Sequence, residues 1–274
     1  MPELPEVEVL RRSLEPHCVG RTLRKVEVFE PRLRQPIDPP SFAVALRGRR
    51  VIHLRRRAKY LLMGLTGDRT LLVHLGMSGN LIWSPEQRDL QKHQHVRVHL
   101  DDGSLLSYQD PRRFGLLEVA DSRWLENNQR LAHLGVEPLT EAFSGEYLRS
   151  RAGKRRRRIK EFLMDQTVVV GVGNIYASEA LHRAAINPKR AVSRVSLTTW
   201  EALVLAVKET LERAIARGGS TLSDFRNGRG ESGYFQIEHA VYDRQGKQCL
   251  RCDGVIRRIV QGNRSTFYCP RCQH

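Results

Sequence analysis

The sequence predicts an α+β chain of more than one domain: an N-terminal helix, a β-rich first half, a helical second half and a small cysteine-bearing tail. Three observations carry this. Apolar residues recur every three to four positions over residues 3–14. From about residue 22 to 120 they fall instead in short runs separated by turn residues. Beyond about residue 125 helical spacing returns, and it gives way to a tail holding four of the five cysteines as two close pairs. At 274 residues and 40% apolar, the chain can build cores for two modest domains, or for one domain with an appendage.

Taken in order, Leu4, Val7, Leu10 and Leu14 form the apolar stripe of the first helix. Glu3, Glu6 and Glu8 lie towards its start and Arg11 and Arg12 towards its end, as the helix dipole favours. Pro16 and Gly20 mark its stop. Strands are expected over 22–29, 50–54, 60–65, 70–75 and 115–119. VRVHL at 96–100 and LLSY at 105–108, joined by DDGS, read as a hairpin with an Asp-Gly turn. Such spacing fits a sandwich or a barrel. Helices are expected over 144–151, 157–166, 174–184 and 196–216, with a glycine-punctuated turn, VVVGVGNIY, before the third. Residues 218–233, rich in Gly, Ser and Asn, read as a flexible loop. There is no internal repeat.

The tail carries the strongest chemical signal. CLRC at 249–252 and CPRC at 269–272 are two C-x2-C knuckles separated by sixteen residues. Each knuckle offers two thiolates from one tight turn, and tetrahedral zinc takes four. The segment between them reads as two strands joined by a Gly-Asn turn, a zinc ribbon. With Cys249, Cys252, Cys269 and Cys272 as ligands no coordination position is open, so the one zinc expected per chain is structural. Two surface disulfides are the alternative. Cys18 stands apart as a small semi-buried residue.

Charge points to the partner. There are 46 Lys and Arg against 30 Asp and Glu, a formal charge of +16. Such a surface attracts polyanions, nucleic acid first and an anionic membrane second. Seven basic residues lie in 47–59 and seven more in 151–160, and the ribbon adds Arg251, Arg257, Arg258, Arg264 and Arg271. Half of these read as solvated faces and the rest as one phosphate-tracking surface. The glycine turn at 171–173 opens a helix near Asn174, where free backbone N–H groups suit a phosphate. Two loops, HLGMSG at 74–79 and DPRRFG at 110–115, carry Met77 and Phe114 where polar residues are usual. They read either as core packing or as a wedge that enters a base stack. No apolar run approaches the roughly 20 residues of a membrane span. The start, MPELPEVEVL, has neither the basic nor the apolar segment of a secretory signal, so a cytoplasmic protein is expected.

PELPEVE at 2–8, HLGMSG, DPRRFG, VGNIYASEAL at 172–181 and the terminal ribbon together resemble the formamidopyrimidine-DNA glycosylases, in that family's order along the chain. The resemblance implies an N-terminal β-sandwich (1–130), a helix–two-turn–helix domain (131–235) and a zinc ribbon (236–274), with a DNA cleft between the halves. It implies a monomer acting on damaged double-stranded DNA, not on a membrane. Met1 would be removed and Pro2 would attack C1′ of an oxidised purine nucleotide, giving an iminium (Schiff base) that drives β,δ-elimination. By the same resemblance Glu3 is the general acid for sugar-ring opening. Lys59 assists at the sugar and its 3′ side, and Arg264 assists δ-elimination while holding the lesion's phosphate. His93, Arg112, Asn174 and either Arg155 or Lys154 match DNA-contact positions. Met77, Arg112 and Phe114 match the trio that fills the gap left by the flipped base, and the 218–233 loop would close over that base.

Rival readings are an endonuclease VIII-like enzyme for oxidised pyrimidines, an idle-proline DNA-binding protein, and a zinc-ribbon RNA- or ribosome-associated factor. The PELPE start and the complete trio favour purines over the first. No aromatic RNA-stacking motif supports the last.

Overall fold

The computed structural model describes residues 2–86, 89–154, 156–220, 228 and 238–274. It divides into two units, Met1–Ala132 with Arg217–Tyr234, and His133–Ala216 with Phe235–His274.

The first unit opens with α1 (Leu4–Cys18), whose Leu4, Leu10 and Leu14 are fully buried. The helix runs two residues past Pro16, because a proline removes one N–H but leaves the final turn free to close through Val19 N–H on the Glu15 carbonyl. Two antiparallel four-stranded sheets follow. One has the order β1 (Leu23–Val28), β6 (Gln94–Leu100), β7 (Leu105–Gln109), β5 (Asn80–Ser84). The other has the order β2 (Val51–Arg57), β3 (Tyr60–Leu65), β4 (Arg69–His74), β8 (Leu116–Asp121). Leu61, Met63, Leu71 and Val73 of one sheet share a single core with Val96, Val98, Leu106 and Tyr108 of the other, and Val7, Leu10 and Leu14 of α1 join it. Two open sheets around one core make a sandwich, not a barrel.

Among the described residues, one α-helix and one strand have no counterpart in the sequence pattern. The helix α2 (Pro39–Leu46) lacks a useful stripe, since only Phe42 and Leu46 are buried and Val44 is exposed; Asp38 caps it through the Ser41 N–H. Strand β5 is five residues long and follows a glycine loop directly, so its alternation is too brief to read.

The second unit holds α3 (Gly145–Ala152), α4 (Ile159–Leu163), α5 (Asn174–Arg183) and α6 (Leu197–Ala216). Buried Phe162 and Trp200 meet at 5.6 Å between ring centroids. Helix α4 is shorter than its spacing predicts. Arg158 is extended and bridges Ala191, and the Asp165 carboxylate takes the Thr167 N–H and hydroxyl in a side-chain turn at the far end. The ribbon strands β9 (Arg257–Gln261) and β10 (Arg264–Tyr268) pair antiparallel across Gly262–Asn263, both at positive φ (52° and 59°). That is the type I′ turn a two-residue hairpin favours. No helix among the described residues is long and apolar enough to cross a membrane.

Candidate functional site

In the first unit the chain's start is buried and fixed. Pro2 is buried, and Glu3 and Glu6 are 2% and 1% exposed. Glu6 Oε2 accepts the Glu3 N–H at 2.8 Å, and Glu6 Oε1 accepts the Ser220 N–H at 2.8 Å. One carboxylate therefore joins the start of α1 to the root of the 218–233 loop. Most of that loop lies outside the described residues. Gly228 is described: its N–H donates to Ser13 Oγ at 2.8 Å and its carbonyl accepts the Trp83 N–H at 2.7 Å. A Cβ there would come within 2.5 Å of the Leu14 side chain, so the close approach requires glycine.

Lys59 sits with Ala58, whose φ is 53°, in the two-residue turn between β2 and β3, and is nearly buried. The turn is held to α1 by Arg56, which pairs with Glu8 at 3.4 Å and donates to the Ala58 carbonyl. Burial acts to raise the Glu8 pKa, but the hydrogen bonds from Arg11 and Arg12 and the nearby guanidinium charges outweigh it and hold it low. His74 faces Tyr60 across β3 and β4, with ring centroids 4.8 Å apart, and its Nδ1 accepts the Gly76 N–H at 3.0 Å. Burial, then the charges of Lys59, Arg34 and Arg130, push its pKa down to about 4. The imidazole is therefore neutral near pH 7, with Nε2 as its donor.

The loops 75–79 and 110–115 meet backbone to backbone. Gly76, at φ 63°, leaves no room for a Cβ, which would lie 2.4–2.6 Å from the Phe114 carbonyl group and the Gly115 nitrogen. Met77 and Phe114 are 38% and 45% exposed, which removes core packing as their explanation. The Arg112 guanidinium lies 4.9 Å from the Phe114 ring centroid. His93, exposed and at φ 62°, ends the turn before β6 and accepts the Asp110 N–H at its carbonyl.

In the second unit Asn174 begins α5 behind Gly173. Its Oδ1 accepts Lys160 Nζ at 2.6 Å, and the same ammonium reaches Thr266 Oγ1 at 2.7 Å and the Ser265 carbonyl at 3.1 Å. Lys160 is 1% exposed, so although it lies in the basic run at 151–160 it is part of no solvated face. Arg264 is exposed at the start of β10, beside these acceptors in sequence. Lys154 is exposed after α3, and Arg155 lies outside the described residues. The first basic run is also partly structural. Arg49 Nη1 donates to the Thr66 carbonyl and Arg50 Nε to the Gly20 carbonyl.

The four cysteine Sγ atoms lie within 4.8 Å of one another, with Cys249–Cys272 at 3.8 Å, Cys252–Cys269 at 3.6 Å and Cys252–Cys272 at 3.2 Å. A tetrahedral zinc with Zn–S near 2.3 Å requires S–S separations of about 3.8 Å. The thiols are free of disulfides and fit the metal, so the chain carries one structural zinc.

Glu6, His74, Lys160 and Glu179 were not singled out from sequence as site residues. Glu179, buried in α5, accepts the backbone N–H groups of Ala240, Val241 and Tyr242 at 2.8–3.0 Å and so fixes the approach to the ribbon. Glu6, His74 and Glu179 do lie inside PELPEVE, HLGMSG and VGNIYASEAL, and Lys160 lies in the basic run at 151–160, which are the hints the sequence offers.

Comparison with known proteins agrees with this arrangement. Residues 1–117 match the formamidopyrimidine-DNA glycosylase N-terminal domain, residues 134–226 its H2TH domain, and residues 246–274 the zinc finger found in FPG and IleRS. The formamidopyrimidine-DNA glycosylases of Laribacter hongkongensis and Dechloromonas aromatica are 50% and 48% identical, each alignment covering 100% of both chains. A Lactococcus lactis FPG mutant in complex with Fapy-dG-containing DNA superposes with a TM-score of 0.92 at 32% identity over 100% of both chains. The FPG protein of Thermus thermophilus gives 0.87 at 39% identity, over 99% of this chain and 98% of that one. The chain belongs to the formamidopyrimidine-DNA glycosylase family.

Proposed function

We propose that this enzyme excises oxidised purines, 8-oxoguanine and formamidopyrimidines, from duplex DNA and then cleaves the abasic strand by β,δ-elimination through a Schiff base at Pro2. It acts as a monomer in the cytoplasm, with residues 1–130 as catalytic block, 131–235 as helix–two-turn–helix block and 236–274 as ribbon. Once Met1 is removed, Pro2 presents a secondary amine whose pKa of about 8 leaves a reactive fraction unprotonated near neutrality. Its lone pair forms a bond to C1′ as the glycosidic bond breaks and its electrons leave with the base. Glu3 protonates the ring oxygen as the sugar opens, giving the iminium. The iminium acidifies the C2′ proton, whose loss expels the 3′ phosphate, and a second elimination expels the 5′ phosphate.

The observation that carries this reading is the burial of Pro2, Glu3 and Glu6 at the very start of the chain. Chain ends ordinarily fray, and buried carboxylates cost free energy unless paired. A start held by Glu6 on both the Glu3 and Ser220 N–H groups has the order a nucleophile needs. Lys59 supports the sugar and the 3′ side. Arg264 assists δ-elimination and holds the lesion's phosphate, and Asn174, His93, Arg112 and Lys154 or Arg155 contact the DNA. Met77, Arg112 and Phe114 fill the vacated stack. The PELPE start and the presence of all three members of the trio favour purine over pyrimidine lesions.

Borohydride added during turnover of an 8-oxoguanine duplex should trap a covalent adduct that peptide mapping places on Pro2. Pro2→Gly should slow base removal with zinc content and DNA affinity retained. Absence of an adduct with a processed N-terminus would defeat the enzymatic reading. Full-speed nicking by a protein that keeps Met1 would defeat the proline mechanism.

A further inference from the structure

One zinc ligand has a hydrogen-bond partner that lies far from the ribbon in sequence. His182, next to last in α5, is 2% exposed, and its Nε2 lies 3.4 Å from Cys249 Sγ. The Arg251 N–H donates to the same sulfur at 3.4 Å, the ordinary backbone contact of a knuckle, which Gly254 N–H repeats at Cys252. A zinc-bound thiolate carries no proton, so the hydrogen between His182 and Cys249 belongs to the imidazole and the contact is N–H···S⁻.

The surroundings hold that imidazole in place. Arg251 Nη1 donates to the carbonyls of His182 at 2.8 Å and Arg183 at 3.2 Å, clamping the end of α5 to the first knuckle. The second knuckle is tied to the following turn, through Gln273 Nε2 on the Ile186 carbonyl at 2.8 Å and the His274 N–H on the Ala185 carbonyl at 3.1 Å. Four thiolates around Zn²⁺ leave two net negative charges, and Cys249 is only 5% exposed. In so dry a setting a donor aimed at the sulfur draws off part of that charge and is worth more than it would be in water.

We propose that His182 is a positioning residue for the zinc centre, whose N–H···S⁻ bond to Cys249 holds that thiolate on the metal and shields it from protons and electrophiles. Groups that hydrogen-bond metal ligands are worth about 10–100-fold in metal affinity. Phenylalanine at this position would keep the ring's volume and lose the donor. Glutamine can return an amide N–H to the place of Nε2.

The test follows zinc transfer from the holoenzyme to excess chromogenic chelator and the labelling of Cys249 by iodoacetamide. His182→Phe should release zinc about tenfold faster and label faster at Cys249, whereas His182→Gln should stay within about threefold of the parent. Release from His182→Phe at the parental rate would overturn the proposal. So would equal acceleration in both variants, which would indicate packing alone. In ¹¹³Cd-substituted parent protein the proposal requires a through-bond correlation between the metal and the His182 Nε2 proton. Its absence would overturn the proposal whether or not the variants fold.

Discussion

Asp110 and Ser78, which belong to different loops, meet through a 2.6 Å hydrogen bond with both side chains buried. Asp110 Oδ1 also takes the Arg112 N–H at 3.3 Å, and Oδ2 takes the Gly115 N–H at 2.8 Å and the Tyr108 hydroxyl at 3.3 Å. Ser78 Oγ in turn accepts the Arg112 N–H at 3.2 Å. With Gly76 pressed on the Phe114 backbone, the loops bearing Met77, Arg112 and Phe114 form one clasped piece. For the wedge proposed above such stiffness is an advantage, since less ordering entropy is then lost on binding.

Asp110→Asn tests the clasp. The amide puts an NH2 group where one carboxylate oxygen accepted a backbone N–H group, so a buried donor is left unsatisfied, at a cost on the order of 1–3 kcal/mol. Urea unfolding of the variant should show the loss, and removal of 8-oxoguanine should slow. An unchanged midpoint would mean that the clasp carries no weight.

Lys160→Met tests the junction between α5 and the ribbon. The substitution strips a charged donor from Asn174 Oδ1, Thr266 Oγ1 and the Ser265 carbonyl. Hydrogen bonds to charged groups are worth about 1.5–3 kcal/mol each, so stability should fall by at least one such bond. Affinity for a lesion-bearing duplex, measured by fluorescence anisotropy, should fall as well, because Asn174 is no longer held. Parental affinity would count against Asn174 as a phosphate contact.

Cys249→Ser, or zinc removal by a strong chelator, should unfold the ribbon while leaving the sandwich intact. DNA binding should weaken, and its salt dependence should become shallower as the ribbon arginines are lost. Metal analysis and anisotropy across a salt series provide the measurement. A zinc-free protein that binds normally would exclude the ribbon from the interface.

His74 makes a pH prediction. Its folded pKa, about 4, is below the ordinary 6.5, so between those values the unfolded chain binds the extra proton. The stability His74 contributes is complete above pH 6.5 and is lost as pH falls towards 4, an effect on the order of 3 kcal/mol. Imidazole NMR signals of His74 should stay constant from pH 8 to pH 5. A midpoint near 6.5 would show that the ring is solvated and distant from the Lys59 charge.

The readable parts of this protein were those with local, repeated chemistry. The α1 stripe from Leu4 to Leu14, the 96–108 hairpin, the Gly262–Asn263 turn and the two cysteine knuckles each repeat a pattern over a few residues, and each formed where expected. Helix α2 and strand β5 left no such pattern. Neither did Glu6 with Ser220, Lys160 with Thr266, or His182 with Cys249, since each joins residues far apart in the chain.

From the sequence alone came the layout of the chain, the basic character that draws it to nucleic acid, the zinc ligands and the family motifs. Which polar groups are buried together was decided by tertiary structure. Apolar periodicity reports which face of an element avoids water, but a buried carboxylate or ammonium is tolerated only where distant donors and acceptors converge on it, and convergence is a property of the folded chain.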